Sequence, residues 1–339
     1  MKIKYKNGKL IKKYIAASKR LEKNNLKSYI EIENKQAWIK IPGFDISTAI
    51  RIGITDADDM KFSINLNNLK NYIENEKEGS ISLEYITDVS YTFSYPATED
   101  IVIIDASELK TMIDGISKVG EDIKNNNNVN GYMLTLDANG EMKIITTDMM
   151  MFIRCSIAYN YAANNERRFF INKEVWKIYE EIRKIDKTVH YNIWINNETS
   201  ETWMADDDEI LYVHNGVTKM PNWDGIIPSN FSVEGMINRH VLLDMLNKVD
   251  VSIDDVDHGV SLTFHDGILH IGDELQMKYE HHSSSERNQV RRYNRNKLRI
   301  LLESFQENVI YFGVNDANYP TVLYFKDCIF DGGIMGIRL

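Results

Sequence analysis

Three consecutive methionines occupy residues 149–151, between Asp148 and Phe152, in the segment TTDMMMF. Thioethers are soft and polarisable, so they suit copper binding, the filling of an irregular core, or a surface that accepts several partners. Successive strand residues point to opposite faces, and three adjacent thioethers in a strand therefore do not converge on one metal ion. The run favours a partner-binding pocket, and core filling stays open as the alternative.

Two other clusters have side chains that bind metals. Five histidines fall in the last third of the chain, in a predicted hairpin and a polar loop, and no cysteine pair stands at ligand spacing beside them. The acidic run at residues 206–209 lies between two predicted strands, where a solvated turn is the ordinary outcome. The chain has no Gly-rich phosphate loop and no Gly-x-Ser-x-Gly motif. We predict no catalytic residue, no metal site and no cofactor. The histidines are His258, His265, His270, His281 and His282.

Length and composition bound the class of protein. The chain has 339 residues, 43% of them apolar and 27% charged, which is typical of a globular protein with two or three domains. No apolar run approaches the roughly 20 residues of a membrane helix, and the first residues lack the apolar core of a signal peptide. The two cysteines, Cys155 and Cys328, are too few for a disulfide framework. We expect a soluble protein of a reducing cytoplasm.

One pattern occurs three times along the chain. An aromatic strand end, an asparagine and an amphipathic helix follow one another at Asn65, Asn172 and Asn294, spaced by 107 and 122 residues. Asparagine is a favoured N-cap because its side-chain oxygen accepts a free N–H of the first helical turn. The pattern predicts helices at residues 66–77, 173–187 and 291–307.

The flanks of these helices repeat as well. Each third of the chain has an earlier helical segment, at 9–23, 106–124 and 236–250, and alternating strand pairs before and after the second helix. Asn139-Gly140 and Asp266-Gly267 give two of the hairpins their turn signals. The predicted fold class is α+β, with three repeated units that place helices on one side of antiparallel sheets.

Charge is unevenly spread over these predicted elements. The formal net charge of −10 argues by itself against nucleic acid. However, the six helical segments together carry more Lys and Arg than Asp and Glu, so the acidic excess lies elsewhere. Ordinary solvated helix faces explain this distribution as well as a DNA-facing layer does.

Three motifs, in their order and spacing, resemble the bacterial-type sliding clamp, the beta subunit of DNA polymerase III. They are NWDGIIP at 222–228, IMGIRL at 334–339, and Asn130-Gly131 followed by a strand pair that ends in ITTD. The family has a Pro-Asp-(Tyr/Trp) segment ending in Pro, a Met-Pro-Met-Arg-Leu terminus, and a Thr-Asp-Gly-His-Arg-Leu segment at the corresponding places. The resemblance covers the whole chain.

The resemblance implies three processivity-fold domains, at 1–103, 104–229 and 230–339, and a head-to-tail ring of two chains. The ring would encircle duplex DNA without reading its sequence, in bacterial cytoplasm or a phage-infected cell, and would tether DNA polymerase and clamp loader without catalysing a reaction. Phosphate contacts from the helices carry no sequence information, so such a ring can slide. The cations expected to face DNA are Lys12, Lys19, Arg20, Lys23, Lys118, Lys173, Lys177, Lys184, Arg239, Arg295 and Arg299.

The resemblance also implies a pocket for partner peptides between the second and third domains. Where the family has Gly, His, Arg and Leu, this chain has Met149, Met150, Met151 and Phe152, and a terminal Pro is replaced by Gly336. We therefore expect an apolar, deformable pocket with a diverged partner set, such as that of a bacteriophage or mobile element. The positions that match the family's pocket are Thr147, Met149, Met150, Met151, Phe152, Pro228, Ile334, Met335, Gly336, Ile337, Arg338 and Leu339.

Two other classes of protein remain as alternatives at this point. A metal-dependent nuclease would hold carboxylates at a sheet edge and would cleave plasmid DNA when a metal ion is added. A structural protein would use similar α+β repeats only for assembly, and would bind circular and linear DNA alike.

Overall fold

The structure is a computed structural model. It describes residues 1–21, 27–42, 46–74, 78–83, 89, 101–120, 131–159, 166–187, 189–195, 202–206, 211–215, 225, 227, 230–249, 258–282, 289–315 and 321–337.

Within these described ranges, six α-helices and 23 strands are defined. The helices are α1 Gly8–Ser18, α2 Leu66–Tyr72, α3 Ala106–Ile116, α4 Lys173–Arg183, α5 Arg239–Lys248 and α6 Arg295–Ser304. The strands of the first half are β1 Lys2–Lys6, β2 Tyr29–Glu33, β3 Gln36–Ile41, β4 Ile46–Thr55, β5 Met60–Ser63, β6 Glu78–Ser82, β7 Ile101–Asp105, β8 Gly131–Leu136, β9 Glu141–Thr147, β10 Met151–Ala158 and β11 Arg167–Asn172. Those of the second half are β12 His190–Ile195, β13 Thr202–Asp206, β14 Leu211–Asn215, β15 Val233–Asn238, β16 Gly259–His265, β17 Ile268–Ile271, β18 Leu275–Lys278, β19 Glu280–His281, β20 Gln289–Asn294, β21 Val309–Val314, β22 Val322–Lys326 and β23 Phe330–Met335.

The chain forms two compact units. Unit 1 contains Met1–Lys110 and Phe169–Thr218, and unit 2 contains Thr111–Arg168 and Lys219–Leu339. The chain passes from one unit to the other within α3 and within β11. The predicted middle domain, 104–229, is thus divided between the two units, and the division into three domains stays a prediction.

Unit 1 is built on a ten-stranded sheet. Its main path is β5-β2-β3-β4-β14-β13-β12-β7, and β1 pairs with both β4 and β6. Helices α1 and α4 pack together in this unit. On α1, Leu10, Ile11, Tyr14 and Ile15 are buried, and the Tyr14 hydroxyl lies 2.6 Å from Thr48 Oγ1 of β4. Each buried aliphatic side chain contributes about 1.5–3 kcal/mol, so this face holds α1 on the sheet.

Unit 2 contains eight strands of a nine-stranded sheet, in the order β8-β9-β10-β23-β22-β21-β15-β19, and β11 is the ninth. A separate four-stranded sheet has the order β18-β17-β16-β20. Helix α6 buries Leu298, Leu301 and Leu302, and a Cβ added to Gly332 of β23 would lie 3.0 Å from Leu301. Gly332 therefore faces α6, which identifies the helix side of this sheet.

The two large sheets share one strand order. In unit 1 the run β2-β3-β4 is followed by β14-β13-β12-β7, and in unit 2 the run β8-β9-β10 is followed by β23-β22-β21-β15. The junctions are the antiparallel pairs β4–β14 and β10–β23. The α+β class with antiparallel sheets is therefore confirmed.

The three predicted asparagine caps are confirmed. Asn65 Oδ1 accepts from the N–H groups of residues 67 and 68, Asn172 Oδ1 from residue 174, and Asn294 Oδ1 from residue 297. A fourth asparagine, Asn238, caps α5 in the same way. Prediction of a helix from residue 236 was wrong, because Val233–Asn238 forms a strand and the helix begins only after the cap. The predicted start at 291 was wrong for the same reason, since β20 continues to Asn294.

Two of the predicted hairpins have two-residue turns, whereas Asn139-Gly140 lies in a four-residue connection between β8 and β9. Asn34 and Lys35 both adopt positive φ angles, 52° and 64°, between β2 and β3. Asp266 and Gly267 do the same between β16 and β17, at 49° and 72°. Turns of this hand match the twist of antiparallel strands. Within the described ranges, no helix is long and apolar enough to cross a membrane.

Candidate functional site

The methionine run lies in the turn between β9 and β10. Thr147 Oγ1 accepts from Met149 N–H, and Asp148 Oδ1 accepts from the N–H groups of Met150 and Met151, at 2.8–2.9 Å. Met149 has a φ of 74° and is 46% exposed. Only Met151 is a strand residue, so the assumption of three consecutive strand residues was wrong. Thr147 and Asp148 shape the turn by bonding backbone N–H groups that have no strand partner.

Asp148 also connects this turn to α6. The Lys297 ammonium group forms an ion pair with the Asp148 carboxylate, whose side chain is almost fully buried. Breaking a buried pair by removing one partner is costly, because the other charge is left without compensation. The Asp that anchors the sequence resemblance is therefore a structural residue of the turn.

An aromatic and apolar cluster, here called the platform, covers the side of the unit 2 sheet that faces away from α6. Phe152 of β10 is 2% exposed and follows the turn directly. Its register partner is Gly333, which stands next to the α6-facing Gly332 and so points to the opposite side. The platform consists of Ile145, Phe152, Val322 and Tyr324, against which Met133, Ile227, Phe231 and Tyr311 pack.

Two glycines make room for the rings of the platform. A Cβ on Gly333 would lie 2.9 Å from both Phe152 Cε1 and Val322 Cγ1. A Cβ on Gly313 would lie 2.5 Å from the ring of Phe231. Cβ atoms do not approach other carbons so closely. The rings of Phe152 and Phe231 therefore fit in these places because Gly333 and Gly313 have no side chains. Phe231 stacks on Tyr324 with ring centroids 5.6 Å apart.

Polar groups border the platform. Arg154 binds Asp331 through two N–H···O contacts of 2.8 and 3.0 Å, and the Tyr324 hydroxyl donates to Asp331 Oδ2 at 3.0 Å. Burial, with Asp331 as a second cause, raises the pKa of Tyr324. The Tyr311 hydroxyl donates to Glu234, and burial followed by this carboxylate raises the pKa of Tyr311. Both phenols therefore stay neutral, as hydrogen-bond donors, at physiological pH.

The structure brings some of the predicted pocket residues together. Phe152 belongs to the platform, and Met335 N–H donates to Met150 O at 2.8 Å, so the run and the C-terminal strand are neighbours. Met151 and Ile334, however, are paired in register and 2% and 0% exposed, on the α6 side with Gly332. They fill the core, which corrects their predicted place in the pocket.

The remaining pocket positions have other surroundings or are not described. Gly336 N–H donates to Thr321 O, and Ile337 N–H donates to Arg292 O, at 2.8 and 2.7 Å. Pro228, Arg338 and Leu339 lie outside the described residues. Sequence reasoning missed the platform residues Ile145, Val322, Tyr324, Tyr311, Phe231 and Ile227. For Tyr311, Val322 and Tyr324 a signal exists in the alternating runs VIYFGV and VLYFK.

The helix cations form the second candidate surface. In unit 1, Lys13 and Lys184 both lie 2.6 Å from Glu181, and Lys177 lies 3.3 Å from Glu174. Hydrogen bonds from Lys13 and then Lys184 lower the pKa of Glu181 to about 2. The carboxylates of α4 thus neutralise much of the charge that the sequence places on that helix.

The structure corrects the DNA-facing prediction for two residues. Arg239 is 8% exposed and donates to the carbonyls of Glu307 and Leu302, at 2.9 and 3.3 Å. Lys173 is also 8% exposed. Both stand at the first position of a helix and are buried there. Neither is free to meet a phosphate.

The other predicted cations differ in their availability. Arg295 donates to Val249 O at 2.8 Å, and Arg299 lies 3.8 Å from Glu303. Lys19 donates to Asn67 Oδ1. Lys12 and Lys118 make no ion pair with any described residue. Lys23 and the side chain of Arg20 lie outside the description.

Side chains that can bind metals occur as histidines in the last third of the chain and as acidic residues at 206–209. In the part of the chain that the structure describes, no three His, Cys, Asp or Glu side chains are grouped so as to hold a metal ion. His265 lies 3.1 Å from Asp266, its neighbour in the hairpin turn. Asp206 is the last residue of β13 and is 8% exposed, whereas 207–209 lie outside the described ranges.

Comparison with known proteins gives a result only at the level of structure. No protein-family model matches the chain, and no curated protein sequence matches it. Among solved structures, the DNA polymerase III subunit beta of Pseudomonas aeruginosa is similar over 100% of both chains, with 14% identity and a TM-score of 0.73. The DNA polymerase III beta subunit of Thermotoga maritima has a TM-score of 0.75 and 12% identity, over 100% of this chain and 99% of that one.

The chain has the sliding-clamp fold. A further similar structure is a Pseudomonas aeruginosa sliding clamp bound to griselimycin, with 14% identity, a TM-score of 0.69 and full coverage of both chains. The resemblance stated from sequence motifs is thus confirmed for the fold along the whole chain. At this identity the match rests on the repeated α+β architecture, because few side chains are shared.

Proposed function

We propose that the chain is a DNA sliding clamp, a ring that encircles duplex DNA and tethers a DNA polymerase. The observation that carries this proposal is the likeness to DNA polymerase III beta subunits over the full length of both chains, at TM-scores of 0.73 and 0.75. A shared local motif would leave most of the chain unexplained, whereas this likeness covers every part of the sequence.

The same function accounts for the charge distribution. A net charge of −10 repels DNA from most of the surface, and exposed helix cations such as Lys118 offer contacts to backbone phosphates. Contacts of this kind do not read sequence, so the protein can move along the duplex. The place of action is then the bacterial cytoplasm or a phage-infected cell.

A ring of this kind requires two copies of the chain. We expect a homodimer in which different surfaces of the two copies meet and the rotation closes. Sedimentation equilibrium at micromolar concentration should give twice the chain mass of 39.4 kDa. A stable monomer under these conditions would contradict a permanent dimer and would require closure by a loader.

The platform is the proposed docking site for partner peptides, including those of polymerase and clamp loader. Its rings and the half-buried Met150 are apolar and adaptable, so the site suits a peptide with hydrophobic anchors. The similar Pseudomonas clamp was solved with griselimycin bound, so a protein of this fold can bind a ligand.

Met150→Ala tests whether the turn contributes to this site. Affinity for the C-terminal peptide of the cognate polymerase should fall about tenfold, because a side chain that packs against the peptide is lost. Met245→Ala on α5 is the matched control and should leave affinity unchanged. Equal affinity of wild type and Met150→Ala would remove Met150 from the site.

We infer no catalytic activity. The platform offers two neutral phenols and aromatic carbons, which supply neither an activated nucleophile nor a carboxylate pair for water activation. The nuclease and assembly alternatives are not favoured, since full-length likeness to the clamp fold accounts for the repeats without them.

A further inference from the structure

A groove of about 650 Å³ lies in unit 1, and its lining contains none of the platform residues and none of the predicted DNA-facing cations. It is bounded by β1, the first turn of α1, and neighbouring parts of β3, β4 and β6. A volume of this size suits a ligand or a few residues of a peptide. The sequence motifs and the sliding-clamp proposal leave this groove without a role.

Three lysines of β1 line the groove. Strand residues alternate between faces, so Lys2, Lys4 and Lys6 project to one side at intervals of about 6.8 Å, while Ile3 and Tyr5 are buried on the other. The backbone of β1 is paired with β4 on one side and β6 on the other, which fixes this row. Among the described residues, none of the three ammonium groups makes an ion pair.

An exposed isoleucine lies beside the lysine row. Lys4 is the register partner of Ile54, so the two side chains share a face, and Ile54 is 59% exposed. Ile52, Leu10 and Ile11 also line the groove but are buried, so among the described isoleucines and leucines of the lining Ile54 is the one that a partner can cover. An exposed β-branched residue at the bottom of a cationic groove costs hydration free energy unless a partner covers it.

Two further charged residues, Arg51 and Glu78, line the groove. Arg51 lines one part and lies over the Trp38 ring at 5.8 Å from its centroid. Glu78, the register partner of Lys6, is the acidic residue in the lining. Cations therefore outnumber acids in this groove, on a chain whose net charge is −10.

We propose that this groove binds a short acidic peptide segment of a partner protein, with its carboxylates on the lysine row and an apolar side chain on the exposed Ile54. An acidic segment is repelled by most of the surface and attracted here, which gives selectivity for this face. A nucleic-acid backbone would satisfy the lysines but would leave Ile54 against a hydrated, charged chain. The exposed Ile54 therefore favours a peptide over nucleic acid.

The test uses the full-length protein and a fluorescein-labelled decapeptide of alternating glutamate and leucine. Fluorescence anisotropy should show saturable binding that weakens with salt, because exposed charge pairs are screened. The double variant Lys2→Glu, Lys4→Glu should bind at least about tenfold more weakly, and Ile54→Ser about threefold more weakly. The same peptide with glutamine in place of glutamate should bind at least about tenfold more weakly to the wild type.

A matched control carries the same charge change elsewhere. The variant Lys278→Glu, Lys326→Glu alters two exposed strand lysines of unit 2 and should bind the peptide as the wild type does. Far-UV circular dichroism and thermal unfolding check that all variants are folded.

Three results would overturn the proposal: no binding to the wild type, equal binding by the Lys2→Glu, Lys4→Glu variant, or equal binding of the glutamine peptide. A 20-base-pair duplex is measured in parallel. If the Lys2→Glu, Lys4→Glu variant binds this duplex more weakly than the wild type does, and the acidic peptide does not bind, the groove is a nucleic-acid surface and the peptide proposal fails.

Discussion

Phe152→Ala is expected to lower the free energy of unfolding by about 3–5 kcal/mol. The Phe152 side chain is 2% exposed and packs with Ile145, Val322 and Tyr324, while Gly333 beneath it has no side chain to fill the space. Truncation therefore removes buried apolar area and leaves a cavity that the glycine cannot close. Urea unfolding followed by circular dichroism measures the change, and peptide affinity should be lost in the folded fraction.

The family's residue at this position provides the matched control. Phe152→Leu keeps a large apolar side chain and should cost clearly less than Phe152→Ala. Gly333→Ala should destabilise the wild type, because its Cβ would lie 2.9 Å from Phe152 Cε1, an atom that leucine lacks. Phe152→Leu and Gly333→Ala together should therefore lower the free energy of unfolding by less than the sum of their separate effects. Additive costs, or a cost below about 1 kcal/mol for Phe152→Ala, would contradict the packing described.

Lys12→Glu combined with Lys118→Glu is expected to weaken binding to a 30-base-pair duplex by at least tenfold. Both side chains are free of ion pairs within the described structure, so each can meet a phosphate. Each lost phosphate contact should reduce the slope of log K against log salt by about one. Equilibrium titration at several salt concentrations measures both quantities.

Lys278→Glu combined with Lys326→Glu is again the control, with the same change in net charge on strands instead of helices. It should keep the salt slope of the wild type. If this control loses as much affinity as the helix variant, net charge alone governs binding, and the assignment of DNA contacts to the helices would be wrong.

Local rules predicted the local structure of this chain well. The asparagines at 65, 172 and 294 cap helices because the signal, a polar side chain before an amphipathic run, lies within a few residues. The Ile-Asn pair of residues 64–65 and 171–172 also occurs at Ile237-Asn238, and reading it as a cap places the start of α5 correctly. The glycine hairpin turns follow from equally local chemistry.

Non-local pairing could not be read from these patterns. The pair β4–β14 joins residues about 160 positions apart, and β10–β23 about 180 apart, yet each decides which half of the middle domain joins which unit. Alternation indicates that a strand has a core face, but it does not name the neighbouring strand. The sequence therefore predicted the α+β class and three repeats without the two-unit arrangement.

The candidate site shows the same division between local and non-local information. The Asp148 position was identified from its motif, but the turn and the ion pair to Lys297 depend on α6, about 150 residues later. Met151 was assigned to the pocket because its position matches the family's pocket motif, whereas alternation from Phe152 places it in the core. Alternation applied to residues 151–153 would have placed Phe152 on the platform side of the strand and Met151 on the α6 side.

Retention on circular DNA tests the sliding-clamp proposal most directly. Protomers are allowed to assemble with nicked circular plasmid, half of the sample is linearised with a single-cut enzyme, and both halves are brought to about 1 M NaCl, where the Debye length is about 3 Å. Gel filtration then separates DNA-bound from free protein. We expect the protein to stay with the circular DNA and to be lost from the linear DNA, because a closed ring leaves DNA only over a free end. Equal loss from both forms, or equal retention on both, would contradict it.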